Sequence, residues 1–285
     1  MHKSNYDYEE KPQGLRLQDE RFNRNIEVVF SIIDDEITQK GNVKILEIGC
    51  GGGTNLFPIK QKFGEKVNLY GVDISQVAIS FANNLNMGTF IQGEAENRHF
   101  AEEFDLILVL DVLEHLSSLE NVRQTLEVIH ASLKDEGCFL LNCPIELNPW
   151  NIHWFFNKTN LFADNTKKFF GHLIQFTEDS LLATLEKNFY VEKKCYHAHF
   201  ISQLSGFIFF VLPKEIMSKL SPDLEQKTRD SSFQISTPGL GLRLLKLIHS
   251  ICILPFNVLG YYESIFRKNS RFGAGAIYLK LKKRL

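Results

Sequence analysis

The spacing of apolar residues predicts a helix at the start of the chain and a buried strand after it. Between residues 18 and 39 apolar positions recur at helical spacing, and Gly41 follows as a stop signal. Residues 43–49 are then almost continuously apolar. A short run of this kind is typical of a parallel strand that is covered on both faces. We therefore expect the N-terminal helix to pack on a sheet.

Further apolar runs repeat the strand pattern, at residues 67–73, 89–93, 104–111, 137–144 and 274–283. Stretches with helical periodicity separate most of these runs, as at 75–86 and 118–133. Strands and helices that alternate at this spacing favour a doubly wound α/β sheet with mostly parallel strands and right-handed crossovers. The sequence therefore predicts a Rossmann-like α/β fold.

A glycine-rich turn follows the first strand, in the segment ILEIGCGGGTN. Ligands of doubly wound sheets bind at the carboxyl ends of the strands, and glycine lets a ligand approach the backbone closely. The dinucleotide pattern G-x-G-x-x-G is not met, because its third position, counted from Gly49, is Thr54. The alternative spacing acidic-x-G-x-G-x-G is satisfied by Glu47, Gly49, Gly51 and Gly53.

This spacing resembles motif I of the class I S-adenosylmethionine-dependent methyltransferases, and later segments resemble the same family in the family's order. The segment FDLILVLDVLEHL (104–116) is closely similar to the strand-four signature of the branch that acts on quinones, sterols and small molecules. The resemblance covers about residues 40–196 and 272–284. It implies a seven-stranded sheet of order 3-2-1-4-5-7-6 and S-adenosylmethionine as the cofactor. The residues between the resembling segments predict a helical insertion before the last strand.

The resemblance also implies a set of cofactor-binding positions. The carboxylate of Asp73, at the end of the second strand, would accept both ribose hydroxyls, and Glu94, where relatives usually have Asp, would meet the adenine amino group. Cys50 is expected to be a small filler and not a nucleophile. The full set is Glu47, Gly49, Cys50, Gly51, Gly53, Asp73, Ile74, Glu94, Ala95 and Asp111.

Methyl transfer from a sulfonium is an in-line displacement, so it depends mainly on positioning. A base is required only where the acceptor must lose a proton, and histidine suits that role at neutral pH. His115 lies just past the fourth strand, His172 precedes the segment LIQFT, and His153 lies in an aromatic segment that could form a lid. The sequence leaves all three as candidate catalytic residues.

A metal site is an alternative that we weigh but do not assign. Asp111, Glu114 and His115 have the D-x-x-E-H spacing, which resembles a divalent-ion site of quinone-biosynthetic methyltransferases. Glu114 and His115 would otherwise cap and brace the connection between strand and helix. His197 and His199 are expected on one face of a strand, without a third ligand, so no metal is expected there.

Residues 198–271 depart from a minimal methyltransferase. The apolar stretches 200–213 and 240–266 are broken by Pro213 and Pro255 and do not have the uninterrupted length of a membrane span. They suit a helical cap over the acceptor pocket or an amphipathic surface lying on a bilayer. Basic residues in and after this segment favour an anionic lipid or a phosphate-bearing substrate, against the alternative of a solvated tail.

The predicted organisation has three parts. Residues 1–41 form an N-terminal helical arm or lid. Residues 42–197 and 272–285 form the S-adenosylmethionine-binding methyltransferase domain. Residues 198–271 form the apolar helical insertion.

Composition narrows the partners and the compartment. The net charge of -2 gives no support for nucleic-acid binding. The five cysteines are scattered and include no C-x-x-C pair, so neither a disulfide framework nor a zinc site is indicated. The N-terminus is polar and acidic where a secretory signal would be apolar. We expect a cytoplasmic protein, with contact to the inner face of the membrane as a further option, and the sequence leaves the oligomeric state open.

The predicted function is S-adenosylmethionine-dependent methyl transfer, to oxygen, on a small-molecule or lipid-like acceptor. Amphipathic small molecules, lipid-linked glycans and quinone precursors all fit the sequence. The alternative is a non-catalytic S-adenosylmethionine-binding protein that uses the insertion for regulation, for a partner or for a membrane.

Overall fold

A computed structural model describes residues 24–97, 100, 103–159, 170–213, 216 and 240–284. The strands are β1 (Val43–Ile48), β2 (Val67–Asp73), β3 (Thr89–Gln92), β4 (Phe104–Leu110), β5 (Leu133–Pro144), β6 (Phe189–His197) and β7 (Ala276–Lys283). The α-helices are α1 (Arg24–Lys40), α2 (Leu56–Phe63), α3 (Gln76–Asn84), α4 (Leu119–Ser132), α5 (Ile152–Thr159), α6 (Glu178–Leu185), α7 (Phe200–Gly206) and α8 (Leu240–Phe266). A π-helical segment, Phe207–Val211, continues α7, and 3₁₀ turns lie at Gly64–Lys66, Ala95–Asn97 and Leu113–His115.

The strands form one seven-stranded sheet in the order β3-β2-β1-β4-β5-β7-β6. The first five strands pair in parallel, whereas β7 runs antiparallel to both β5 and β6. This order and the helices on both faces confirm the predicted fold class.

The strand residues alternate between two cores, one on each face of the sheet. Ile45 and Leu106 pack with apolar residues of α1, α2 and α3 on one face. Their neighbours Leu46 and Ile107 pack with α4 and α6 on the other face. Every residue of β4 is buried. A strand that is covered on both faces has no polar side to show, which explains its continuous apolar sequence.

The carboxyl ends of the parallel strands meet at one edge of the sheet. The glycine turn follows β1, Asp73 ends β2, and Asp111 and Ile145 directly follow β4 and β5. Because β7 is antiparallel, its first residue, Ala276, pairs with His197 at the end of β6. The segment between β6 and β7 therefore begins and ends at the same edge as the glycine turn.

The prediction that His197 and His199 share a strand face is wrong. The strand β6 ends at His197, and Ala198 then takes a left-handed backbone conformation with φ of 51°. His199 is the residue before α7, is fully buried, and has its Nε2 atom 3.0 Å from the carbonyl oxygen of Ser270. The backbone turn at Ala198, which the polar pattern does not reveal, separates the two histidines.

The prediction that Pro255 breaks the second apolar stretch is also wrong, because Pro255 lies inside the continuous helix α8. Proline removes one backbone hydrogen bond, and packing can offset that loss. Here α8 lies directly against α7, so close that a Cβ atom on Gly260 would be 2.5 Å from Oγ of Ser202. Pro213 likewise lies in a helical turn beyond the π-helical segment. No helix among the described residues has the length and apolar character that crossing a membrane requires.

Candidate active site

Three glycines of the turn after β1 have left-handed backbone angles, with φ of 74° at Gly49, 51° at Gly51 and 84° at Gly53. A Cβ atom at Gly49 would collide with Val112, and one at Gly53 would collide with Met87. A Cβ atom at Gly51 would meet no protein atom within 4 Å. Packing against Val112 therefore requires glycine at position 49, whereas at Gly53 the flexible end of Met87 would have to move, and Gly51 faces open space that a ligand can enter.

The Asp73 carboxylate joins the glycine turn to the end of β2. Its Oδ2 accepts a hydrogen bond of 2.8 Å from the N–H of Gly51, and its Oδ1 accepts one of 2.9 Å from the N–H of Ser75. Ser75 in turn caps α3 by accepting from the N–H of Ala78. Asp73 thus lies beside the open space at Gly51, where it is expected, and its predicted ribose contact stays a prediction.

Glu47 is a buried carboxylate with an incomplete hydrogen-bond shell. Its side chain is 1% exposed, and Oε1 accepts a hydrogen bond of 2.6 Å from Nδ2 of Asn55. Oε2 has no hydrogen-bond partner among the described residues. Burial raises the pKa of Glu47 to about 8, and the charge of Asp73 contributes in the same direction. A cationic ligand group is the kind of partner that such a carboxylate lacks.

The other predicted cofactor positions lie along the same edge. The carbonyl oxygen of Asp73 accepts from the N–H of Gly93, which places the turn after β3 next to β2. Within that turn Glu94 is exposed and accepts from Nδ2 of Asn97, while Ala95 is buried. Ile74 is 49% exposed.

Cys50 is 4% exposed, and burial raises its thiol pKa well above the ordinary value. A thiol in this environment is a poor nucleophile. The structure therefore agrees with its expected role as a filler of the turn.

Asp111 lies at the end of β4 in a left-handed conformation, with φ of 57°. Its Oδ1 accepts a hydrogen bond of 2.9 Å from Nδ2 of Asn142, and Oδ1 of Asn142 lies 2.8 Å from Nε2 of His197. Asp111 is exposed to solvent. The protein around it raises its pKa above the ordinary value, against the lowering effect of His172.

The three candidate histidines lie near one another, and two of them, His153 and His172, interact with the buried carboxylate of Glu146. Oε1 of Glu146 lies 2.7 Å from Nδ1 of His172, and Nε2 of Gln175 donates to Oε2 of Glu146 at 3.2 Å. The imidazole rings of His115 and His172 meet edge to face with their centroids 5.0 Å apart. Nδ1 of His115 lies 3.1 Å from the carbonyl oxygen of Gly171.

Charges in this group influence one another. Burial tends to raise the pKa of Glu146, but the hydrogen bond from His172 and the nearby imidazoles leave that pKa below its ordinary value. Burial lowers the pKa of His153, against the raising effect of the Glu146 charge. The structure therefore brings His115, His153 and His172 into one group, as a single acceptor site would require.

Glu114, His115 and His172 could also hold a divalent ion. One ligand atom from each lies within 4.8 Å of the other two. Glu114 is 1% exposed, and neither of its side-chain oxygens has a hydrogen-bond partner among the described residues. Burial and the charge of Asp111 raise its pKa well above the ordinary value. The group differs from the D-x-x-E-H alternative, because His172 takes the place of Asp111, whose Oδ1 accepts from Asn142.

Sequence reasoning missed Glu146 and Asn142. Both lie on or just after β5, at the sheet edge where the other site residues gather. Asn142 is a polar residue within the otherwise apolar second half of β5, and Glu146 is the first charged residue beyond the end of that strand. The position of Glu146 at the carboxyl end of a predicted strand was the signal that could have found it.

A cavity of about 190 Å³ adjoins the histidine group, between α5 on one side and α7 with its π-helical continuation on the other. His153 and the aromatic rings of Phe156, Phe170 and Phe207 line it. The ring centroids of Phe156 and Phe207 are 4.8 Å apart, and those of Phe170 and His172 are 5.8 Å apart. The cavity and the histidines therefore form one continuous region.

The sheet order and the acidic and glycine-rich turn define the class I methyltransferase fold. Residues 46–139 match the family model described as "Methyltransferase domain". This match covers the glycine turn, Asp73 and the β4 signature. Residues 46–139 thus belong to a class I methyltransferase domain, and the predicted superfamily and its cofactor, S-adenosylmethionine, are confirmed.

Solved structures resemble this chain in fold. A putative sarcosine dimethylglycine methyltransferase from Galdieria sulphuraria is 11% identical with a TM-score of 0.58, over 95% of this chain and 93% of that one. YjhP from E. coli is 14% identical with a TM-score of 0.52, over 97% and 98%. The [4+2]-cyclase SpnF is 13% identical with a TM-score of 0.53, over 91% and 81%. No curated protein matches the chain in sequence.

Proposed function

We propose that this protein transfers the methyl group of S-adenosylmethionine to an oxygen atom of an amphipathic small molecule. The observation that carries the proposal is the short connection between the glycine turn and the histidine group. Val112 packs against Gly49 of the glycine turn, and His115, three residues later, packs against His172. A cofactor at the turn and an acceptor at the histidines would therefore meet at one edge of the sheet.

Three features support the cofactor site. Gly51 leaves room for a ligand against the backbone, Asp73 is held beside that room, and Glu47 has a buried oxygen that lacks a partner among the described residues. A bound S-adenosylmethionine supplies the activated methyl group. In our proposal Glu47 faces its cationic aminoacyl part, Asp73 its ribose, and Glu94 its adenine.

His172 is the base that we propose for an acceptor hydroxyl. The Glu146 carboxylate can only accept, so Nδ1 of His172 carries the proton of their 2.7 Å hydrogen bond. With the proton held at Nδ1, Nε2 of His172 is the ring atom that we propose takes the proton of the acceptor. The edge of His115 and the hydrogen bond from Gln175 to Glu146 hold this arrangement. His115 and His153 are the alternatives.

Transfer of labelled methyl groups tests the proposal. The full chain is incubated with S-adenosylmethionine labelled in the methyl group and with fractions of a cell extract, separated into aqueous and lipid pools. Labelled product from one fraction, and less product with the Asp73→Ala variant at the same cofactor concentration, is the expected result. Cofactor binding without product in any fraction would favour the non-catalytic alternative, which the cyclase neighbour keeps open because fold alone does not define the reaction.

We also propose that the helical segment after β6 contacts the surface of an anionic membrane at its inner face. Large apolar side chains are exposed on or beside this segment, namely Phe200, Phe210, Leu254, Leu259, Tyr262, Phe266 and Phe272. The exposed ring of Trp150 stacks on Phe272, and the Arg267 guanidinium lies 5.7 Å from the Phe272 ring centroid. Aromatic rings beside cationic side chains suit the headgroup region of a bilayer. All five cysteines are free, which fits a reducing compartment.

A further inference from the structure

We propose that the cavity between α5 and α7 binds an aromatic ring of the acceptor, and that a hydroxyl on this ring is the group that receives the methyl. This proposal rests on the proposed function and narrows its substrate class. Quinone precursors and other phenols remain among the acceptors considered, whereas the sugar of a lipid-linked glycan does not fit this cavity.

The chemistry of the walls selects an aromatic group. Phe156, Phe170 and Phe207 contribute three rings, which can stack on a ring or meet its edge. A sugar in the same place would bury several hydroxyl groups against these rings, and buried hydroxyls without hydrogen bonds are costly.

Few polar side chains line the cavity among the described residues, and one of them, Gln203, already has hydrogen-bond partners. The Gln203 amide nitrogen donates to the carbonyl oxygens of Ala198 and Gly273, at 2.6 and 2.8 Å. Its amide oxygen accepts from the N–H of Ile152 at 2.7 Å. Gln203 therefore braces α7 against the start of α5. His153 and Ser202 are the other polar side chains that line the cavity in the part of the chain that the structure describes.

The size of the cavity suits an aromatic ring. An apolar cavity of about 150 Å³ accommodates one benzene molecule. The cavity of about 190 Å³ therefore has room for an aromatic ring with a substituent.

The cavity also points the ring toward the reacting groups. His153 and Phe170 form the part of its wall that adjoins Glu146 and His172. A ring hydroxyl directed at these residues would lie near His172. The apolar remainder of the ring would then contact α7 and the π-helical segment.

Gly206 offers a means to fill the cavity without disturbing the fold. It is the last residue of α7, with helical backbone angles of φ -56° and ψ -43°, and it lines the cavity. A Cβ atom built on Gly206 would have no protein atom within 4 Å. A larger side chain there is compatible with the backbone and should favour the helix over glycine.

Binding of ring probes to the full chain, saturated with S-adenosylhomocysteine, provides the test. Phenol, 1-octanol and methyl glucoside are titrated by calorimetry into the wild type and into Gly206→Leu. The variant Ile208→Ala, which changes a partly exposed side chain of the π-helical segment that is not part of the cavity wall, is the matched control. Phe207→Ala, which enlarges the cavity, is titrated with 2-naphthol.

We expect saturable phenol binding that Gly206→Leu weakens about tenfold or more and Ile208→Ala leaves unchanged. We also expect 2-naphthol to bind Phe207→Ala more tightly than the wild type. Tighter binding of octanol or the glucoside than of phenol would overturn the proposal, and so would phenol binding that Gly206→Leu does not change. Cofactor binding is measured in the same samples, and transfer of labelled methyl groups is measured separately. Failure of the proposed methyl transfer is thereby distinguished from failure of ring binding in the cavity.

Discussion

The Nδ1 atom of His172 lies 2.7 Å from Oε1 of Glu146, two residues beyond the end of β5. This contact joins two segments that are distant in sequence and gives the histidine a fixed orientation. The contact also satisfies Glu146. A carboxylate that is only 3% exposed is costly unless a hydrogen-bond donor or an opposite charge lies beside it.

We expect Glu146→Gln to lower kcat about tenfold or more, because the amide carries no charge and orients His172 less firmly. The affinity for S-adenosylhomocysteine should not change, since Glu146 lies on the acceptor side. Steady-state kinetics and calorimetry measure the two quantities. Glu127→Gln, which alters a surface ion pair with Lys187, is the control. An unchanged kcat would remove Glu146 from the active site.

Replacement of Asp73 by Ala should weaken cofactor binding about tenfold or more, because it leaves the N–H groups of Gly51 and Ser75 without their carboxylate and removes the proposed ribose contact. Calorimetric titration with S-adenosylhomocysteine checks this. Asp34→Ala, at an exposed ion pair with Lys62, should bind normally. If both variants bind alike, the predicted ribose contact is wrong.

The glycines of the turn should respond differently to alanine. Gly49→Ala should lower the melting temperature most, since its Cβ collides with Val112 in addition to the cost of about 1–2 kcal/mol for a left-handed residue. Gly51→Ala carries only that backbone cost and should instead lose cofactor affinity, because its Cβ occupies the open space. Thermal unfolding with and without S-adenosylhomocysteine separates the effects.

A second substitution checks the cause of the Gly49 effect. Val112→Ala should restore part of the stability that Gly49→Ala loses, since it removes the atoms of the collision. No recovery in the double variant would mean that the backbone angle alone is responsible.

The buried carboxylate of Glu47 predicts a pH dependence of stability. Its pKa rises from the ordinary value of 4.5 to about 8 in the folded state, so the folded chain holds a proton that the unfolded chain releases between these values. Stability is therefore lost as the pH rises through this window, by up to about 1.4 kcal/mol per pH unit. Urea unfolding of the wild type and of Glu47→Gln is measured at about pH 5.5 and about pH 7.5, two values within this window. The two measurements give the change in the free energy of unfolding with pH.

Glu47→Gln cannot release this proton and should show a flatter dependence on pH. Equal slopes in the two proteins would contradict the assignment. If a cationic part of the cofactor faces Glu47, binding at neutral pH should also release a proton, which calorimetry in buffers of different ionisation enthalpy detects.

The proposed membrane contact predicts that Phe266→Ser reduces sedimentation with vesicles that contain anionic lipid. Phe266 is 84% exposed, so the substitution should not affect folding. Tyr190→Ser, at a 48% exposed aromatic residue on β6, is the control. Binding that persists in Phe266→Ser, or that does not weaken with added salt, would contradict the proposal.

The sequence predicts the fold well because the information is local. Buried strands such as β4 are apolar throughout, and their alternation with helices implies the sheet. The start of β5 was harder to predict. The strand begins at Leu133, which pairs with Phe104 of β4 across a shift in register. A polar turn sequence gives no sign of such pairing.

The candidate site is only partly predictable, because a local sequence pattern does not record contacts between distant segments. The glycine turn and Asp73 follow their strands directly, so sequence position indicates their function. The contact between Glu146 and His172, and the buried position of His199, depend on how distant segments pack. The continuity of α8 through Pro255 likewise depends on its contact with α7, which no local pattern records.

The antiparallel direction of β7 has a consequence for how such a protein can change. The chain leaves the sheet after His197 and returns at Ala276, and these two residues pair with each other on adjacent strands. The segment between them therefore connects two neighbouring strand ends, as the loop of a hairpin does. Its length and sequence can vary without altering the register of any strand or the glycine turn. The wall that this stretch contributes to the cavity can therefore change while the strands that carry the glycine turn stay as they are.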